Sequence, residues 1–237
     1  MGSSGDRMGA NHESIDSNHV ELDTYAHYLK SLIAGNELQC RSIVEECISA
    51  QLPIRVMYEQ LLRRSLYEVG ELWESNKISI ATEKAATAIT EGLMNYLFPR
   101  IISPTRTQKK AVIAAVENEA HQVGARMVAD VFEMHGWDSF FLGANTPTSQ
   151  LVRLVKEKNP DVVALSLIVH FHIEQLDQAI RTLTHEFDGL PVLVGGQAFR
   201  YGGKSVVNKY PGVSYVSSLE DLESWIIESA KSKLHAP

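Results

Sequence analysis

A chain of 237 residues, 44 % hydrophobic and with a net charge of −7, is long enough to bury a sizeable core as one large domain or two small ones. The acidic balance speaks against direct nucleic-acid binding, no run of about 18 apolar residues marks a membrane span, and no basic-then-apolar leader opens the sequence. The two cysteines, Cys40 and Cys47, fall seven apart on one helical face, where a disulfide is sterically disfavoured, which is the cysteine usage of a reduced, cytoplasmic protein.

In chain order, residues 1–19 are polar and aperiodic and read as a disordered tail, too short to hold a helix-turn-helix DNA-binding domain. Residues 20–103 then carry four apolar stripes at helical spacing. Tyr25, Tyr28, Leu29, Leu32 and Ile33 form the first, ended by Gly35-Asn36, and Leu38, Ile43, Val44, Cys47 and Ile48 form the second, ended near Pro53. The third runs from Val56 to Trp73, and the fourth from Ala85 to Phe98 behind Ser79, which is placed as an N-cap. Short loops between four such stripes predict a four-helix bundle. The polar, breaker-containing stretch 104–110 reads as a linker.

Residues 111–237 alternate between short apolar runs and amphipathic stretches. Strands are expected at 110–116, 138–142, 162–168, 191–194 and 213–216, with helices at 122–135, 148–158, 173–187, within 198–210, and at 219–232. Five such units predict an α/β fold, a flavodoxin-like doubly wound five-stranded parallel sheet. The unbroken apolar run at 162–168 suits a parallel strand buried on both faces.

Ligands in such sheets bind at the carboxyl ends of the strands. After the first strand comes Glu119-x-His121-x-x-Gly124, in which a histidine can present one ring nitrogen to a metal while the carboxylate holds the other. Alone, the segment also reads as a capped helix start with an exposed histidine. Ser166-x-Ile168 ends the third strand and Gly195-Gly196 follows the fourth, so three neighbouring strands outline a narrow slot beneath the histidine. His170 and His172 alternate at strand period and would share a side; two such ligands fall short of a structural zinc set, and His170 is a candidate lining residue of the slot.

These three motifs, in this order, resemble the cobalamin-binding family, whose pattern is D-x-H-x-x-G, then S-x-L, then G-G. The sequence departs from it at Glu119, in place of Asp, and at Ile168, in place of Leu. The resemblance implies that His121 is the lower ligand of cobalt, replacing the cofactor's own base, and that Glu119 holds it. It implies further that Gly124, Ser166, Ile168, Gly195 and Gly196 shape a pocket for the displaced nucleotide tail. His172 stands where some members carry a supporting serine. The helical half resembles the cap over the upper face of the corrin, for which Trp73, Ile80, Glu83 and Lys84 are the candidate contacts. Light-dependent cobalamin regulators carry W-x9-E-H there; Trp73 and Glu83 match, and Lys84 replaces the histidine.

The resemblance therefore implies a Rossmann-type cobalamin domain beneath a helical cap, working as a sensory, signalling or transcription-regulating protein. Adenosylcobalamin is the favoured cofactor and methylcobalamin the alternative. Output would pass through a homo-oligomer or a partner protein. One different reading is a corrinoid methyl carrier of a methyltransferase system. Another is a haem- or bilin-binding sensor on the same scaffold, in which His121 would ligate iron but the slot would have no purpose.

Overall fold

The computed structural model describes residues 19–232, so the expected disordered tail lies, through residue 18, outside the described residues. Four helices come first: α1 (Leu22–Ile33), α2 (Glu37–Ser49), α3 (54–74) and α4 (Ile80–Ile101). Asn36 caps α2 by accepting the Gln39 amide, and Ser79 caps α4 by accepting the Thr82 amide at 3.1 Å, as its position in the sequence predicts. Cys40 and Cys47 are free thiols buried on the inner face of α2.

Helix α3 is continuous but not uniform: its stretch Met57–Arg63 is π-helical, between α-helical turns. This stretch contains Tyr58, fully buried, whose hydroxyl donates to Asp130 Oδ2 at 2.9 Å in the second half of the chain. Asp130 also accepts Arg126 Nε at 3.0 Å. Burial pushes the Asp130 carboxyl above its ordinary range, against the opposing pull of Arg126 and Tyr58. A buried polar cluster therefore joins bundle to sheet domain, and it stands only because each member has a partner.

The second half forms β1 (Lys110–Ala115), α5 (Val123–Met134), β2 (Asp138–Phe141), α6 (Thr148–Lys158), β3 (Val162–Ser166), α7 (Ile173–Glu186), β4 (Val192–Gly195), the short α8 (Lys204–Val207), β5 (Val213–Tyr215) and α9 (Leu219–Ser232). The five strands are all parallel, in the order β2-β1-β3-β4-β5, which is the flavodoxin order. Every residue of β3 is buried, as its apolar run predicts. One face of the sheet packs on α6 and α7; the other packs on α5 and α9, and that core continues into the bundle.

Residues 103–109 run across the end of α5. Arg106 donates to Glu133 at 2.8 Å, to the Trp137 carbonyl at 2.5 Å and to Asp138 at 2.7 Å. The connection between the halves is thus fixed by charge-assisted bonds. Among the described residues no helix is long and apolar enough to cross a membrane.

Candidate functional site

The sequence places the end of β3 at Ile168, but the strand stops at Ser166. The reason lies in the neighbouring loop. The amides of Ile168 and Val169 donate to Glu119 Oε2 at 2.9 and 2.8 Å, so they serve a carboxylate rather than a strand partner. The other carboxylate oxygen, Oε1, accepts the His121 amide at 3.0 Å and His121 Nδ1 at 2.5 Å. The loop is held in place by Asn118 and Asn145, both in the left-handed region that asparagine tolerates. The Asn118 amide donates to Asn145 Oδ1 at 2.8 Å, and the Asn145 amide donates to the Glu119 carbonyl at 2.7 Å.

Glu119 is wholly buried, which by itself would raise its pKa; the hydrogen bonds from His121 and from the amides of Val169, His121 and Ile168 overcome that and hold it at about 2. An ionised carboxylate accepts only, so Nδ1 of His121 must be the protonated nitrogen and Nε2 carries the lone pair. The Glu119 contact raises the His121 pKa above its ordinary 6.5, burial works against this, Glu83 adds to it and Lys84 opposes it. The ordinary Glu119 value is 4.5. Its contribution to stability is therefore present above 4.5 and lost as pH falls toward 2. That of His121 is present below 6.5 and lost as pH rises through its raised value.

The His121 side chain remains 48 % exposed. Across from it stands the start of α4. Thr87 donates to Glu83 Oε1 at 3.2 Å, and Gln122, next to His121, donates to Glu91 of α4 at 2.8 Å. Lys84 is 69 % exposed and sits 3.4 Å from Glu83 Oε2, a contact of ion-pair length without hydrogen-bond geometry. Trp73, at the end of α3, and Ile80, at the start of α4, are large apolar side chains 41 % and 49 % exposed. Val169 and Phe171 add exposed apolar surface beside the histidine loop, and the sequence patterns did not single them out.

His170 and His172 do not share a strand face. They belong to a single 3-10 turn, His170–His172, in which residues two apart project in different directions. His172 Nδ1 is buried without a hydrogen-bond partner, 3.8 Å from Glu119 Oε2. His170 is exposed and lies toward Gly202.

A slot leads from this site between the sheet and helices α5 and α9. Its walls include Gly124, Ser166, Ile168, Gly195 and Gly196, together with Ile113, Ala164 and Leu193 of the sheet. The two parts of the glycine reading separate here. Gly196 has φ +117°, and a Cβ built on it would lie 2.1 Å from the Leu167 carbonyl oxygen, so the backbone alone already requires a glycine here. Gly124, by contrast, has no heavy atom within 4 Å of a built Cβ, and it lies in the first turn of α5. It is the glycine whose missing side chain leaves room.

The donor set limits what can bind. Among the described residues no three His, Cys, Asp or Glu side chains converge to hold a bare metal ion. A single oriented imidazole suits a metal that brings its other ligands in a macrocycle. The small-residue slot beside it suits a macrocycle with a planar appendage, so the residues fit a corrinoid.

Comparison with known proteins agrees. Two models of B12 binding domains match, one at residues 109–221 and the other at residues 25–98. Among curated proteins, the chain is 28 % identical over 168 residues to the HTH-type transcriptional repressor CarH of Myxococcus xanthus, a match covering 70 % of this chain and 55 % of that protein. It is 27 % identical over 158 residues to dimethylamine corrinoid protein 2 of Methanosarcina acetivorans, covering 65 % and 72 %. The chain thus spans about half the length of the repressor. Among solved structures, the monomethylamine corrinoid protein of Methanosarcina barkeri superposes with a TM-score of 0.74 at 14 % identity, over 89 % of this chain and all of that one, a likeness of fold.

Proposed function

The chain belongs to the B12-binding domain family, and from that premise we propose that it is a cobalamin-binding sensory protein that holds its cofactor base-off through His121 and responds to light through adenosylcobalamin. The observation that carries the reading is the Glu119-held imidazole, with Nε2 free at the head of a slot opened by Gly124. Glu119 fixes the tautomer, and the amides of Ile168 and Val169 keep that carboxylate ionised, so His121 meets the metal with a lone pair rather than a proton. The proton that competes for Nε2 is favoured by the raised His121 pKa, so ligation weakens on acidification.

When bound, adenosylcobalamin supplies a cobalt–carbon bond that light breaks. The cap's part is to cover that side: Trp73 and Ile80 offer apolar surface, and Glu83 holds a buried Oε2 that accepts no hydrogen bond. Light-dependent regulators of this kind place a histidine where Lys84 stands. An exposed lysine is an ammonium with three donors and no lone pair, so it offers no second nitrogen after illumination. Output then passes through a partner protein or a change in assembly, without direct nucleic-acid contact by this chain, and the protein works in the cytoplasm.

The expected result is a photosensitive adenosylcobalamin complex whose illuminated spectrum shows one protein nitrogen on cobalt, not two. Lys84→His is expected to convert it to the doubly nitrogen-ligated spectrum. Absorption spectra in the dark and after green light, with mass measurement by light scattering, test both. Resistance of the adenosyl complex to light would sink the sensor reading. It would favour a methyl-carrier role, for which the extended match to dimethylamine corrinoid protein 2 speaks. A haem or bilin in place of the corrinoid would leave the slot without an occupant.

A further inference from the structure

We propose that Arg63, Tyr67 and Arg200 form a subsite at the mouth of the slot that grips the nucleotide tail, so that the tail ties the cap to the sheet domain and selects complete corrinoids; this rests on the cobalamin reading above. Arg63 and Tyr67 lie one turn apart on α3, and Arg200 lies in the 3-10 turn that follows Gly196. The three side chains form a stack. The Arg200 guanidinium carbon is 4.8 Å from the centre of the Tyr67 ring, and that of Arg63 is 5.6 Å from it. All three line the slot, and all three also line a wider cleft outside it, so they stand where the slot opens to solvent.

The charges decide what such a stack can hold. Arg63 is already engaged, with Nη2 on Glu59 Oε1 at 2.7 Å. Arg200 is exposed and, among the described residues, forms no ion pair with a carboxylate; its partner is the tyrosine ring. A guanidinium on an aromatic face offers in-plane N–H donors together with a flat surface. A ligand with a planar heteroaromatic base and a phosphodiester matches both, and this is the chemistry of the displaced tail. The mouth of the slot thus carries residues contributed by both halves of the chain. Trp73 lies on the same helix, six residues beyond Tyr67. Occupation of the slot would therefore also hold the helix that carries the cap tryptophan.

The test compares cobalamin with cobinamide, which lacks the nucleotide tail, on wild-type protein and on Tyr67→Leu and Arg200→Met. Cation–π contacts of this kind correspond to roughly 2- to 30-fold in affinity. Each variant is expected to weaken cobalamin binding within that range and to leave cobinamide binding unchanged. Hydrogen exchange supplies a second readout: cobalamin, but not cobinamide, is expected to protect the amides of residues 57–74 in the wild type, and Arg200→Met is expected to reduce that protection. Arg200 is exposed, so this variant probes the contact without removing core. A wild type that prefers cobalamin, with both variants keeping that preference and the protection, overturns the subsite while sparing the cobalamin reading. A wild type that binds both ligands equally likewise overturns the subsite, because the tail then contributes nothing; a wild type that binds neither overturns the cobalamin reading itself.

Discussion

Replacing His121 with alanine is expected to weaken cobalamin binding by about 100-fold or more and to remove the nitrogen coupling from the electron paramagnetic resonance spectrum of the reduced cobalt state. Removing an outer partner of a metal-bound histidine typically costs about 10- to 100-fold in metal affinity, and removing the ligand itself costs at least as much. Glu119→Gln makes the comparison sharper. Glutamine can still accept the Ile168 and Val169 amides on its oxygen, but it places a neutral amide against His121 Nδ1, where the buried carboxylate now sits at 2.5 Å. The ring then loses the charge that fixes its tautomer, and affinity should fall by roughly 10- to 100-fold while the nitrogen coupling persists. His121 is about half exposed and supports no core, so the alanine variant should still fold, losing only the stability of its bond to the buried Glu119. Unchanged affinity with the same coupling in His121→Ala would remove the histidine from its assigned role.

The strand and helix alternation of residues 111–232 is legible in the sequence because period and breakers agree: β3 is apolar up to Ser166, and Gly136, Pro147 and Gly203 mark turns between elements. Right-handed parallel connections narrow the strand order to a few, of which the flavodoxin order is one. What the sequence does not convey is where backbone amides are spent. Nothing in Ile168-Val169 marks them as donors to a carboxylate 50 residues earlier, and so the end of β3 and the 3-10 turn that follows are misplaced by strand periodicity. The π-helical stretch Met57–Arg63 is hidden for a related reason, since its side chains satisfy an ordinary helical pattern. The histidine loop is legible because its carboxylate–histidine pair is local, two residues apart. The Arg63–Tyr67–Arg200 stack is not, because one member comes from the other half of the chain. Gly195-Gly196 is legible as a pair that permits close backbone approach, but the sequence does not say which backbone approaches. Gly196 lines the slot and also lets the Leu167 carbonyl approach it closely.

The consequence for Gly124 can be measured. Gly124→Leu is expected to fold as well as the wild type and yet to lose complete cobalamin. The position is in the first turn of α5, its φ is not left-handed, and a built Cβ meets no heavy atom within 4 Å. Leucine has the higher helix propensity, and it narrows the unfolded ensemble; together these leave stability unchanged or raised by up to about 1 kcal/mol. The added isobutyl group would occupy slot volume between α5 and the sheet. Forcing a ligand past such an obstruction costs about 1–3 kcal/mol, or roughly 5- to 150-fold in affinity. Cobinamide has no tail and should bind Gly124→Leu as it binds the wild type. Gly196→Ala is the contrasting control. Its φ of +117° and the 2.1 Å approach of the Leu167 carbonyl predict lost stability with no ligand present, by about 1–3 kcal/mol, and equal weakening of cobalamin and cobinamide. Thermal melts and paired titrations of the two variants separate these outcomes. If Gly124→Leu keeps its full preference for cobalamin over cobinamide, the tail does not pass this glycine, and the slot between α5 and the sheet is not where it lies.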